Sequence, residues 1–227
     1  MTAGQQPTDL GLPERLPQPH ELDASAGVCA FLSNVLLRVE AGPVTVQNLD
    51  AATINAWPFA GANADTEAGL AALREAVASP VSDEELEADY RRLFVGPGHM
   101  LAPPWESVHR SDEGLTFEAE TLGVRAAYAE FGLQAPALNK EPDDHIGLEL
   151  AFIGELAVAA LNAAEAGDVG GQAAVLHGAS RFMAEHVSQW APAWAVLVHE
   201  NASTALYRAV GLLLAGALPE LGRVLSA

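Results

Sequence analysis

The chain has 227 residues, half of them hydrophobic, which is enough to bury one sizeable core and too apolar for a disordered protein. Thirty acidic against eleven basic residues give a formal charge of -19, which repels phosphate backbones and anionic lipid heads and argues against nucleic acid or membrane surfaces as partners. Ala and Leu are plentiful while β-branched and aromatic residues are sparse, so an all-α fold is predicted.

The first twenty residues, "MTAGQQPTDLGLPERLPQPH", lack a basic start and an apolar centre, so they are not read as a secretory signal; residues 1–22 are expected to form a flexible tail. A helix is predicted from Asp23 to Glu40, stopped by Gly42-Pro43. Its one cysteine, Cys29, excludes an intrachain disulfide, and the apolar "AGVCAFLSNVLL" around it predicts a buried hydrophobe rather than a nucleophile. A short helix and loop, then a helix over Thr66–Ala78, follow. In "SDEELEADYRRLFVGPG", Ser82 and Glu85 form a capping box, Leu86, Tyr90, Leu93 and Phe94 recur at helical spacing, and Gly96-Pro97 ends the run.

The nineteen residues "GPGHMLAPPWESVHRSDEG" read as a long loop whose Met100 and Trp105 must pack on something. "LTFEAETLGVRAAYAEFG" is a further helix, and "LQAPALNKEPD" reads as a hinge. From Asp143 the spacing of Ile146, Leu150, Ile153, Ala157 and Leu161 is helical again, with Pro142 just ahead of it. Helices over roughly 170–188, 190–200 and 201–216 complete the chain. The division expected is an N-terminal helical lobe over 23–132, a hinge over 133–143 and a C-terminal lobe over 144–227, closely packed as one globular unit. Glu149, Glu155 and Glu165 interrupt the longest apolar run, so no membrane-spanning segment is expected and the protein reads as cytoplasmic.

The sequence has no HExxH, GxSxG, GxxxxGKS/T or GxGxxG signature. "NKEPDDHIGLELAF", however, gathers Glu141, Asp143, Asp144, His145 and Glu149 at a helix start. Three readings are open. Asp144, His145 and Glu149 could ligate a metal in an enzyme, since His145 and Glu149 share a helical face. Asp143 or Asp144 could cap the helix while His145 bonds the backbone. Alternatively, the acids could grip a peptide, because Asp and Glu take guanidinium in bidentate, charge-assisted bonds.

Two stretches, "DYRRLFVGPGHMLAPPWESVH" (89–109) and "EPDDHIGLELAFIGELA" (141–157), resemble the signature segments of the TorD/DmsD/NarJ superfamily of maturation chaperones for molybdenum oxidoreductases. "FMAEHVSQWAPAWAVLVHENASTALYRAVGLLL" is similar to that family's C-terminal helices. The resemblance implies a non-enzymatic, all-helical cytoplasmic chaperone. Its partner would be the twin-arginine signal peptide and apoprotein of a molybdopterin enzyme, held until cofactor insertion and export. Carried over by motif, the peptide site comprises Tyr90, Leu93, Phe94, Pro104, Trp105, Glu106, Glu141, Asp144 and His145. No metal and no cofactor are implied, GTP entering by resemblance alone. Monomer and dimer both stay open, and a helical binding module for another partner is the alternative.

Overall fold

The computed structural model describes residues 15–111, 113–136 and 141–226. Among these the chain forms helices and no strand, with a single isolated bridge between Trp105 and His145. Helix α1 (Pro19–Leu37) starts four residues before the predicted Asp23. Pro19 fits a first turn, and the Gln18 amide donates to the Glu21 carboxylate at 2.9 Å. Leu22, assigned to the tail by the sequence, is fully buried; residues 1–14 of that tail lie outside the described residues. Gly42-Pro43 does not end a helix but sits in the first turn of α2 (Ala41–Asn48), where a missing N–H is tolerated.

Short α3 (Ala51–Asn55) is capped by Asp50 and α4 (Ala64–Ala78) by Asn63. The Ser82/Glu85 box opens α5 (Asp83–Tyr90): the Glu85 amide donates to Ser82 Oγ at 3.2 Å and the Ser82 amide to Glu85 Oε2 at 3.0 Å. A π-helical turn over Arg91–Val95 continues it and closes on Gly96, whose φ of 95° suits glycine. The chain then doubles back, and the amides of Leu101 and Ala102 satisfy the carbonyls of Arg92 and Leu93 that the helix end leaves open. The expected long loop contains a short helix, α6 (Glu106–Arg110).

Next come α7 (Ala119–Glu130), α8 (Ile146–Glu165) and α9 (Val169–Phe182). A second π turn, Met183–Val187, leads into α10 (Ser188–Asn201). The last helix, α11 (Ala205–Leu225), runs well beyond the predicted residue 216 and through Pro219. The main packings are α1 on α8, α4 and α10 on α11, and α9 on α8. Buried apolar residues from Leu22 to Leu225 form one cluster. Cys29 lies within it, its thiol pushed up to about 12 by burial, as an inert hydrophobe.

Contrary to the sequence expectation, α8 and α11 do reach the length and hydropathy of a membrane span, at mean hydropathies of 1.6 and 1.2. Both are core helices of this fold with more than half of their apolar windows buried. Their hydrophobicity is spent on packing against α1, α4, α9 and α10.

Candidate functional site

The two signature segments meet. Antiparallel backbone bonds from the Glu106 amide to the Asp144 carbonyl (2.9 Å) and from the Ile146 amide to the Pro104 carbonyl (2.8 Å) tie the "PPWES" segment to the start of α8. The pairing places Trp105 beside His145, ring centroids 6.0 Å apart and nearly perpendicular. Both side chains are partly exposed, and Glu141, four residues before the α8 cap His145, is exposed.

The remaining residues assigned to the site are interior. Tyr90, Leu93 and Phe94 do not line a groove: they are buried, and the Tyr90 hydroxyl donates to the Leu36 carbonyl at 2.8 Å. Phe94 packs on Tyr90, Trp194 and Tyr207 at centroid distances of 5.1 to 5.8 Å. A helical stripe marks an apolar face, and here that face meets α10 and α11 rather than a ligand. Pro104 is buried as well. Trp194 donates its indole N–H to the Ala102 carbonyl at 3.2 Å, anchoring the loop from beneath.

Asp144 is fully buried and does not face solvent. Its Oδ2 accepts from the Ser107 amide at 2.7 Å and its Oδ1 from the Thr121 hydroxyl at 2.8 Å, so it joins α6, α7 and α8. Asp143, also buried, pairs with Arg125, and the Tyr128 hydroxyl donates to its carbonyl at 3.1 Å. Neither aspartate caps α8. That role belongs to His145, whose Nδ1 accepts from the Gly147 amide at 3.0 Å. Burial pushes the His145 imidazole down to about 4, against the opposing charge of Asp144. A neutral ring is what the cap requires, because a protonated Nδ1 cannot accept.

Glu106 is likewise fully buried, paired with Arg110 one turn on and with His186 Nδ1 at 2.8 Å. Glu149 accepts from the Trp190 indole at 3.2 Å. Burial first, then the carboxylates of Glu106 and Asp144, hold the Glu149 carboxyl well above the usual carboxylate range, with the Trp190 bond working the other way. Asp144, His145 and Glu149 each serve a different neighbour, and among the described residues no group of three His, Cys, Asp or Glu side chains is arranged to hold a metal. The geometry gives the metal reading no ligand set.

Arg110 was findable from its spacing to Glu106, four residues along one helix. Thr121, Arg125, His186 and Trp190 were not, being 18 to 80 residues from the acids they bond or pair with. What remains at the surface is a shelf formed by Trp105 and His145, with Glu141 exposed four residues before His145.

Comparison with known proteins bears on this shelf. A family described as the nitrate reductase delta subunit matches residues 60–196, a span holding both signature segments. Among curated relatives, the Tat proofreading chaperone DmsD of Salmonella typhi is 30% identical over 132 residues, 58% of each chain. The chaperone protein TorD of Vibrio cholerae is 28% identical over 129 residues, 57% of each chain. The matched region thus spans less than two thirds of these relatives. A crystal structure described as a redox enzyme maturation protein from Archaeoglobus fulgidus aligns over 96% of this chain and 99% of its own, at 16% identity and a TM-score of 0.45.

Proposed function

We propose, from the premise that this chain belongs to the nitrate reductase delta subunit family, that it is a redox enzyme maturation chaperone. Its client is a molybdopterin-containing oxidoreductase, bound through the twin-arginine signal peptide in the cytoplasm and held until cofactor insertion and export. It acts by reversible masking and has no chemical step of its own. The observation that carries this reading is the backbone pairing of Trp105 with His145. It holds a large aromatic side chain partly in water on a loop whose neighbours are locked from below, an arrangement that core filling does not require.

The same surface suits the ligand chemically. A twin-arginine signal has guanidinium groups ahead of an apolar stretch, so its receptor needs carboxylate next to apolar surface. Glu141 supplies the first and Trp105 the second, while a net charge of -19 draws a cationic segment inward. The buried acids Glu106, Asp143, Asp144 and Glu149 shape the shelf without touching the peptide.

Calorimetric titration tests the proposal, using twin-arginine signal peptides of molybdoenzymes from the same genome beside versions with both arginines replaced by alanine. Saturable binding of at least one peptide is expected, weakened about tenfold or more in the arginine-free control and in Trp105→Ala, as for an aromatic anchor. Equal binding of a peptide and its arginine-free control would sink the assignment.

A further inference from the structure

We propose that the groove between α1 and α8 is the seat of the apolar segment of the bound peptide, with its arginines at the Glu141 end. The inference rests on the reading above and extends it to a surface whose α1 wall lies outside both signature segments. Two cavities of about 430 and 320 Å³ lie side by side here, and both are lined by Leu37 and Arg38, so they form one trough along the α1/α8 seam. The α1 wall falls outside the region matched by the family.

The floor of the outer cavity includes Ala30, Ala151 and Gly154. Short side chains let a further helix approach closely, and Val158 at the rim is 40% exposed. The inner cavity is walled by Leu37, Pro136 and Leu148, and by Glu141. Leu37 also touches the position where Gly147 would carry a Cβ, so this end of the trough abuts the His145 cap and continues the shelf.

Charge favours one direction for the occupant, because Glu155 lines the outer cavity while two carboxylates, Glu40 and Glu141, lie at the other end. Glu40 follows the last residue of α1 by three positions, and Glu141 lines the same cavity as Leu37 and Arg38, so both carboxylates lie at the α1 C-terminal end. The carbonyl end of α1 adds partial negative charge there. Arg38, shared by the two cavities, is bonded to Asn34 Oδ1 at 2.9 Å. A peptide with arginines ahead of an apolar helix therefore fits with its basic end at Glu40 and Glu141 and its apolar part running toward Val158.

The test is anisotropy of two labelled peptides: a native twin-arginine signal from the same genome, and an unrelated probe of two arginines followed by a Leu/Ala helix. Each is titrated against the native chain, Ala30→Trp and Val158→Asp, both substitutions at exposed positions, with thermal melts confirming that the variants fold. Both peptides are expected to bind the native chain and to lose about tenfold affinity in each variant, the magnitude typical of a blocked apolar contact. Binding of the native signal that neither variant weakens overturns the groove while leaving the function intact. Binding of the probe but of no native signal, still lost in the variants, keeps the groove and overturns the client. If neither binds, both fall. A concentration-dependent dimer abolished by Ala30→Trp, without peptide binding, assigns the trough to a second copy instead and overturns the proposal.

Discussion

His145 shows how one side chain can look like a ligand contact and still have structural work to do. Its Nδ1 accepts the Gly147 amide, so it must be neutral, and burial holds it neutral to about pH 4. The folded value lies below the ordinary 6.5, so its contribution to stability is fully present above 6.5 and declines as pH falls toward 4. Glu149 acts in the opposite sense: its folded value is raised, so its contribution is present at low pH and lost as pH rises through that value. Comparing the parent chain with His145→Asn isolates the first effect, because Asn can still cap and does not titrate. Unfolding free energies from urea titrations between pH 7 and pH 4 should fall less in the variant, by a difference approaching about 3 kcal/mol at the acidic end. Parallel curves would show that the ring is not held neutral.

At the scale of elements, the packing of α11 depends on where its glycines lie. A Cβ at Gly211 would come within 2.7 Å of the His199 amide nitrogen and 2.8 Å of the Ala195 carbonyl oxygen, both backbone atoms of α10 that cannot rotate away. On the same helix a Cβ at Gly222 meets nothing. Alanine should therefore act with opposite signs at the two positions. Gly211→Ala should cost about 1 to 3 kcal/mol through overpacking, and Gly222→Ala should add about 0.5 to 1 kcal/mol through helix propensity. Chemical denaturation of both variants decides it, and equal effects would contradict the close α10/α11 approach. Asp89 holds the other end of α11, taking the Ser203 and Thr204 amides at 3.0 and 2.8 Å. Burial raises its pKa, but Arg92 and these amides outweigh it and leave the carboxylate below its usual range.

Across the whole molecule, a charge of -19 makes every encounter with a basic segment dependent on ionic strength. Attraction between exposed charges is screened beyond about 10 Å at 0.1 M salt. On the proposed function, a twin-arginine peptide should thus bind progressively more weakly as salt is raised from about 0.05 to 0.5 M, mainly through a slower association rate. Stopped-flow mixing at several salt concentrations measures this. Association that is indifferent to salt would remove carboxylates such as Glu40 and Glu141 from the encounter.

The elements were largely legible in the sequence because their signals are local: a Ser82/Glu85 box, a glycine stop at Gly96, and apolar residues recurring along α8. So was the pairing of two signature segments, through resemblance. The direction each face points was not. Helical spacing places Tyr90, Leu93 and Phe94 on one stripe, but only the positions of Leu36, Trp194 and Tyr207 turn that stripe into core. Likewise the acids of "EPDDH" read as a binding motif until Ser107, Thr121 and Arg125 are seen to occupy Asp143 and Asp144. Burial and hydrogen-bond partnership are set by residues distant in the chain, so tertiary structure alone decided which carboxylates hold the fold and which, like Glu141, stay exposed near the Trp105–His145 pairing in the chain.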